Sequence, residues 1–190
     1  MKVYFVASIK GKIRYLQHYK KVIQALENIG VDIIEHTLQP SEKEVYSLTD
    51  EGKIGHYKKV LGWIGQADVI VAESSYASLG VGYEISLALE KGKPVIVLHE
   101  EGNAPHFLEG IQSDKLMIVK YDLEHLEDIL ERALEVSAEV MDTRFNFFIS
   151  RKLTLYLDWI SQKKRIPRAV YLRQLIRREM RNTRWTLAES

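Results

Sequence analysis

The sequence predicts an α/β fold in which a five-stranded parallel sheet carries helices on both faces and a small basic module follows it. Three observations lead there. Short runs rich in Val, Ile and Leu lack the apolar–polar alternation of a strand with one wet face, so both of their faces are covered. Segments with helical spacing separate these runs, as in successive βαβ units. Charge supplies the third observation. Residues 1–142 hold 15 Lys and Arg against 23 Asp and Glu, a net of −8, while 143–190 hold 12 against 3, a net of +9. A reversal of that size separates two modules with different partners, here 1–140 and 143–185.

The elements follow in order. Lys2–Ala7 is the first strand and Ser8–Lys12 a small polar turn. Arg14–Asn28 places Leu16, Val22, Ile23 and Leu26 at helical spacing, with Gly30 as its stop. Val31–Glu35 is the second strand, leading to a polar loop around Pro40. Ile54–Gln66 is a helix that turns Leu61 and Ile64 inward. Val69–Glu73 is the third strand, and Tyr83–Lys91 a helix closed by Gly92. Pro94–Leu98 and Leu116–Val119 are the fourth and fifth strands, and Leu123–Val140 is a long amphipathic helix. Beyond Asp142, Arg144–Ile149 alternates as a strand. Two short helices follow, Lys152–Lys163 and Arg168–Arg181, with a break at Pro167.

Composition narrows the function. With 46% hydrophobic residues the 190-residue chain buries a core. No apolar run approaches the roughly 20 residues that span a bilayer, so no membrane association is expected. Absence of cysteine excludes disulfides and thiolate metal sites and fits a cytoplasmic protein. There is no H-E-x-x-H spacing, no G-x-G-x-x-G and no Walker loop, so neither a metal nor a cofactor is expected.

Ligands of parallel sheets bind at the carboxyl ends of the strands, where Ser8–Lys12 and Ser74–Gly82 both lie. The second of these belongs to Ala67–Glu84, ADVIVAESSYASLGVGYE. A buried strand there leads through a small polar turn to a carboxylate that opens a helix, a design for holding a phosphorylated ligand. From spacing alone, Glu84 either faces that ligand or merely stabilises a helix N-terminus. The segment resembles the nucleoside 2-deoxyribosyltransferase family, and within it the 2'-deoxynucleoside 5'-phosphate N-hydrolases. The resemblance runs from about Val3 to Leu123 and implies a flavodoxin-like sheet.

The resemblance also implies roles. Glu84 is the nucleophile that traps the sugar C1' as the bond to the base breaks. Gly80 and Gly82 let the backbone approach the sugar. Ser78 occupies the position where transferases of free nucleosides carry an acid and phosphate-specific hydrolases a serine. A carboxylate there repels a 5'-phosphate, whereas a hydroxyl donates to it. Ser8-Ile9-Lys10-Gly11 resembles the hydrolases' Ser-Ile-Arg-Gly, with Ser8 and the Ile9 and Gly11 amides holding phosphate and Lys10 acting as a point charge. Tyr4 matches an aromatic near the ligand. Glu73 and His36 also match family positions, and Glu73 at its strand end is read as holding loop amides.

One departure stands out. The family's proton-transferring aspartate corresponds to Val60, and no acid lies between Gly52 and Ala67. His56 and Tyr57, about one helical turn earlier, are the candidate replacements.

The tail resembles the ribbon-helix-helix DNA-binding module in pattern and length. That resemblance directs Arg144, Asn146 and Phe148 toward the DNA major groove and Phe145, Phe147 and Ile149 inward. Arg168 and the later arginines meet phosphates. The inter-helix turn departs from the pattern, with Arg165, Pro167 and Ala169 in place of glycine and serines. A clasp between two copies is the alternative, and both readings make the tail an obligate dimer element.

A cytoplasmic homo-oligomer, dimer or higher, is therefore expected, with a (2'-deoxy)nucleoside 5'-monophosphate as small-molecule partner and duplex DNA as a second. The expected activity is hydrolysis of the N-glycosidic bond of that nucleotide through Glu84. The alternatives are a nucleotide-sensing DNA-binding regulator with an impaired pocket, and a nucleoside 2-deoxyribosyltransferase.

Overall fold

The structure is a computed structural model of the chain, described for residues 1–35, 37–38, 49–139, 148–164 and 168–183. His36, the loop around Pro40, and Arg144 and Asn146 lie outside the described residues. The chain divides into two compact units, 1–142 and 143–190.

In the first unit, β1 (Lys2–Ala7), β2 (Asp32–Glu35), β3 (Val69–Glu73), β4 (Val95–His99) and β5 (Leu116–Lys120) form one sheet of order β2-β1-β3-β4-β5. Every pairing is parallel, with Val3 opposite Ile33 and Val69, and Val71 opposite Ile96. This is the flavodoxin-like order, as expected. Chain direction along the sheet reverses between β1 and β3, so the turns that leave these two strands diverge and open a crevice.

Side-chain alternation feeds two cores. Val3, Phe5, Val69, Val71, Ile96 and Leu98 pack against α1 (Lys12–Ile29) and α5 (Leu126–Glu139). Tyr4, Val6, Ile70, Ala72, Val95 and Val97 pack against α2 (Asp50–Gln66), α3 (Leu79–Glu90) and the one-turn α4 (His106–Glu109). Gly30 ends α1 at φ 85°, and its N–H reaches back to the Leu26 and Glu27 carbonyls. Only glycine adopts that left-handed position without strain.

Helix limits differ from the sequence expectation: α1 begins two residues earlier, at Lys12, α5 three later, at Leu126, and the largest differences are at α2 and α3. The second helix begins four residues earlier, because Thr49 caps it by accepting from the Gly52 N–H at 3.2 Å and Asp50 and Glu51 favour its first turn. It buries Val60 and Ile64, while Leu61 is only half-buried. The third helix begins at Leu79, and Ser78 is its cap, with Oγ accepting from the Val81 N–H at 3.5 Å. Ser74–Gly82 is therefore not all loop. Gly80 and Gly82 are helical, and Glu84 stands in the second turn. No described helix is long and apolar enough to cross a membrane.

The second unit contains α6 (Arg151–Lys164) and α7 (Arg168–Asn182). Leu157, Ile160 and Tyr171 form its small core, flanked by Leu172 and Leu175. Of the expected strand, only Phe148 and Ile149 are described, and neither is in a strand.

Candidate active site

The β1 and β3 turns enclose a cavity of about 400 Å³ at the carboxyl edge of the sheet. Ser8, Ile9, Lys10, His56, Ser78 and Glu84 all line it. Gly11 is not in the lining, and Tyr4 reaches it only through Glu84.

Glu84 is brought there by α3. Val81, Ile85 and Ala88 are buried against the sheet, and that packing orients the residue beside Ile85 toward the β1 end. The Tyr4 hydroxyl, on a fully buried side chain, donates to Glu84 Oε2 at 2.7 Å. Burial pushes the Glu84 carboxyl up to about 7, and the Tyr4 hydrogen bond pulls it down. Burial and the neighbouring Glu84 charge push Tyr4 itself far upward, so it remains a proton donor. The pair joins residues 80 positions apart. It is a carboxylate poised near neutrality with a fixed donor on one oxygen, which leaves the other for an incoming electrophile.

Apart from Gly11, the phosphate candidates line the same cavity. Ser8 is buried, and its Oγ accepts from the Gly11 N–H at 3.2 Å, closing the turn that starts α1. Lys10 is exposed at the tip of that turn. Gly11 explains itself by space rather than by conformation. A Cβ there would come 2.8 Å from Tyr76 Cβ and press into the Tyr19 hydroxyl. Ser78 spends a lone pair on the helix cap, so its hydroxyl proton stays available to the cavity. Gly80 and Gly82 have ordinary helical backbones; nothing lies within 4 Å of a Cβ added at Gly82.

The two proton-transfer candidates separate. His56 lines the cavity, edge-on to Trp63 at 6.3 Å, while Trp63 tilts against Tyr4 at 5.9 Å. Burial, then the nearby Lys59, hold its pKa below the usual histidine value. Tyr57 is outside the cavity lining and hydrogen-bonds Tyr83, which it pushes upward in pKa. Val60 is buried against Tyr4, Val81 and Ile85 in the core, where an ionised aspartate would be costly.

Sequence reasoning missed Thr37 and Tyr76 in the cavity wall. Thr37 is buried and its Oγ1 accepts from the Ala7 N–H at 3.3 Å. No local pattern marks it, because its partner lies 30 residues away at the end of β1. Tyr76 also borders a second, apolar cavity of about 640 Å³ with Leu79, Tyr83, Phe107 and Leu108. Among the described residues no cluster of three metal-ligating side chains occurs. In the second unit, Arg168 forms an ion pair with Asp158, and Phe148 is fully exposed.

Comparison with known proteins extends this picture. The profile of the family described as "Nucleoside 2-deoxyribosyltransferase" matches residues 3–139. A protein of Syntrophotalea carbinolica named "Putative 2'-deoxynucleoside 5'-phosphate N-hydrolase 1" is 32% identical over 136 residues, covering 70% of this chain and 94% of that protein. The 5-hydroxymethyl-dUMP N-hydrolase of Mus musculus is 30% identical over 140 residues, covering 70% and 79%. Among solved structures, the CMP N-glycosidase of Clostridium botulinum superposes with a TM-score of 0.49 at 19% identity, covering 69% of this chain and 99% of its own. The matched segment spans the whole sheet and the cavity and stops before the basic tail. Through residues 3–139, this chain belongs to the nucleoside 2-deoxyribosyltransferase family.

Proposed function

We propose that the first unit hydrolyses the N-glycosidic bond of a (2'-deoxy)nucleoside 5'-monophosphate to free base and sugar 5-phosphate. One observation carries this: a half-buried carboxylate, held on one oxygen by Tyr4, shares one cavity with the hydroxyl- and amide-bearing β1 turn. The relatives' names agree with it. In this reading the free oxygen of Glu84 bonds to C1' while the C1'–N bond breaks, and the base leaves with the bonding electrons and takes up a proton. Water then attacks C1', its proton passes to the group that protonated the base, and the C–O bond to Glu84 breaks, returning the carboxylate. Ser8, Ser78, the Ile9 amide and Lys10 hold the 5'-phosphate, while the Gly11 amide, outside the lining and engaged by Ser8 Oγ, closes the turn instead. Of the two proton-transfer candidates His56 is the one that lines the cavity, because Tyr57 is engaged with Tyr83. Burial and the nearby Lys59 disfavour the protonated form of His56, so its delivery of a proton to the leaving base weakens as pH rises. Ser78 disfavours base exchange between free nucleosides. The test is base release from a panel of deoxynucleoside and ribonucleoside 5'-monophosphates. Release from none of them, with the monophosphates still raising the melting temperature, would make the unit a nucleotide sensor.

For the second unit we propose self-association, which makes the cytoplasmic protein a dimer or higher oligomer. Helix α6 has apolar residues on two sides. Leu157 and Ile160 meet α7, while Leu155 and Trp159 are 60% and 53% exposed. A second copy of the same module is the partner a self-complementary apolar helix pair fits. Duplex DNA would then meet the paired basic faces, in competition with the Arg168–Asp158 ion pair. Sedimentation of the Leu155→Lys/Trp159→Lys variant is expected to show a lighter species than the parent. Its DNA affinity should fall with it, and the parent's should weaken steeply with salt. An unchanged mass would remove the module as the dimer element.

A further inference from the structure

On the face of the sheet opposite Glu84 lies a second buried carboxylate that the proposed chemistry does not use. Glu73 ends β3 and is fully buried. Its Oε1 accepts from the Ser75 N–H at 3.1 Å, from the Ser75 hydroxyl, and from the Tyr121 hydroxyl at 3.1 Å. The Ser75 Oγ accepts in turn from the Glu100 N–H at 2.9 Å, and the Glu100 carboxylate meets His18 Nε2 at 2.8 Å. Burial pushes Glu73 up, and the Ser75 and Tyr121 bonds pull it back. Three donors on one oxygen suit an ionised carboxylate.

What these bonds hold is the start of the turn that walls the substrate cavity. Ser74 is fixed by its N–H to the Leu98 carbonyl at 2.8 Å. Ser75 is fixed by Glu73. Tyr76 presses on Gly11 of the β1 turn, and Ser78 opens α3 with its hydroxyl at the cavity. Glu84, by contrast, is set by the packing of α3 and by its hydrogen bond from Tyr4.

We propose that Glu73 is a positioning residue for phosphate recognition. Acting through Ser75, it sets the turn 74–78 and so places both the Ser78 hydroxyl and the Tyr76–Gly11 contact that backs the β1 turn. This rests on the reading that the substrate carries a 5'-phosphate. The division of labour has a kinetic signature. Loosening the turn weakens phosphate binding while leaving the Glu84 chemistry alone.

The experiment compares parent, Glu73→Gln, Ser75→Ala and the double variant in base release, and in calorimetric binding of deoxyribose 5-phosphate beside deoxyribose. In Glu73→Gln the amide nitrogen takes the place of Oε2, which is buried without a partner among the described residues, so an unpaired NH2 is buried there and Oε1 becomes an uncharged, weaker acceptor for its three donors. The expected result is a rise of about tenfold in KM and in the Kd of deoxyribose 5-phosphate, with kcat nearly constant and the two changes non-additive. Tyr121→Phe, which removes a single donor, gives a smaller rise and serves if the others do not fold. A fall in kcat at constant KM, or equal losses with and without the phosphate, would overturn the proposal and leave Glu73 a fold-stabilising group. Parent protein that releases no base yet binds the sugar phosphate in a Glu73-dependent way would sink the hydrolase reading and sustain this one. Parent protein that does neither overturns both.

Discussion

Replacing Glu84 by Gln is expected to abolish base release and, at pH 8, to raise the melting temperature. The first effect follows from the role of the side chain: an amide oxygen is no nucleophile, and losses of about 10³-fold or more accompany removal of a covalent catalyst. The second follows from its surroundings. Burial holds the folded-state pKa at about 7, above the ordinary value of 4.5. Folding therefore disfavours the ionised form. Stability from this group is fully present below about pH 4.5 and is lost as pH rises through about 7. Above that, the charged parent carries a penalty on the order of 2–3 kcal/mol that a neutral Gln escapes. A domain of this size gains roughly 4–10 °C from such a change. The glutamine can still accept from Tyr4. Thermal melts at pH 4.5 and pH 8 check the account: the variant's advantage should appear at pH 8 and vanish at pH 4.5. A variant that melts lower at both values would mean that the carboxylate is a structural asset, contrary to its proposed role.

Replacing Tyr4 by Phe has the next largest effect, and a different signature. The ring keeps its packing against Trp63, but the hydrogen bond to the carboxylate disappears. That bond lowers the Glu84 pKa, so its loss moves the acid limb of the pH–rate profile upward. A hydrogen bond to a charged group is worth about 1.5–3 kcal/mol, which corresponds to one or two pH units. At pH 6.5 the rate should fall by roughly 10- to 100-fold and should recover toward pH 9, because more alkaline solution restores the carboxylate. A profile with an unmoved limb would show that the limb belongs to another group.

How legible these features were depended on the distance between the residues involved. β1 and β3 have the limits read from the sequence, because a strand covered on both faces is a continuous apolar run bounded by polar residues. The start of α3 was obscured by Gly80 and Gly82. Glycine's low helix propensity reads as loop, and the Ser78 cap outweighs it. Val60 and Leu61 are neighbours about 100° apart on a helix, and only the sheet beneath decides which of them turns inward. Glu84 was marked by its motif, whereas its pairing with Tyr4 spans too much chain for any local pattern to reveal. His56 and Tyr57 looked equivalent by spacing. Their fates diverge because Tyr57 finds the Tyr83 hydroxyl on the neighbouring helix. The arginines of the tail carried no sign of their partners either, and Arg168 is matched by an acid on the preceding helix.

The cap at Ser78 bears on how this family diversifies. Serine and aspartate start helices almost equally well, so folding is nearly indifferent to which of them stands there. The ligand is not indifferent, since one presents a proton to an anion and the other a negative charge. If Ser78 meets the substrate phosphate as proposed, it is a position neutral for stability and decisive for substrate, where selection moves most freely. On that proposed reading, a lineage would cross between phosphorylated and unphosphorylated nucleosides at this site by replacing one side chain, with the protein folded at every step.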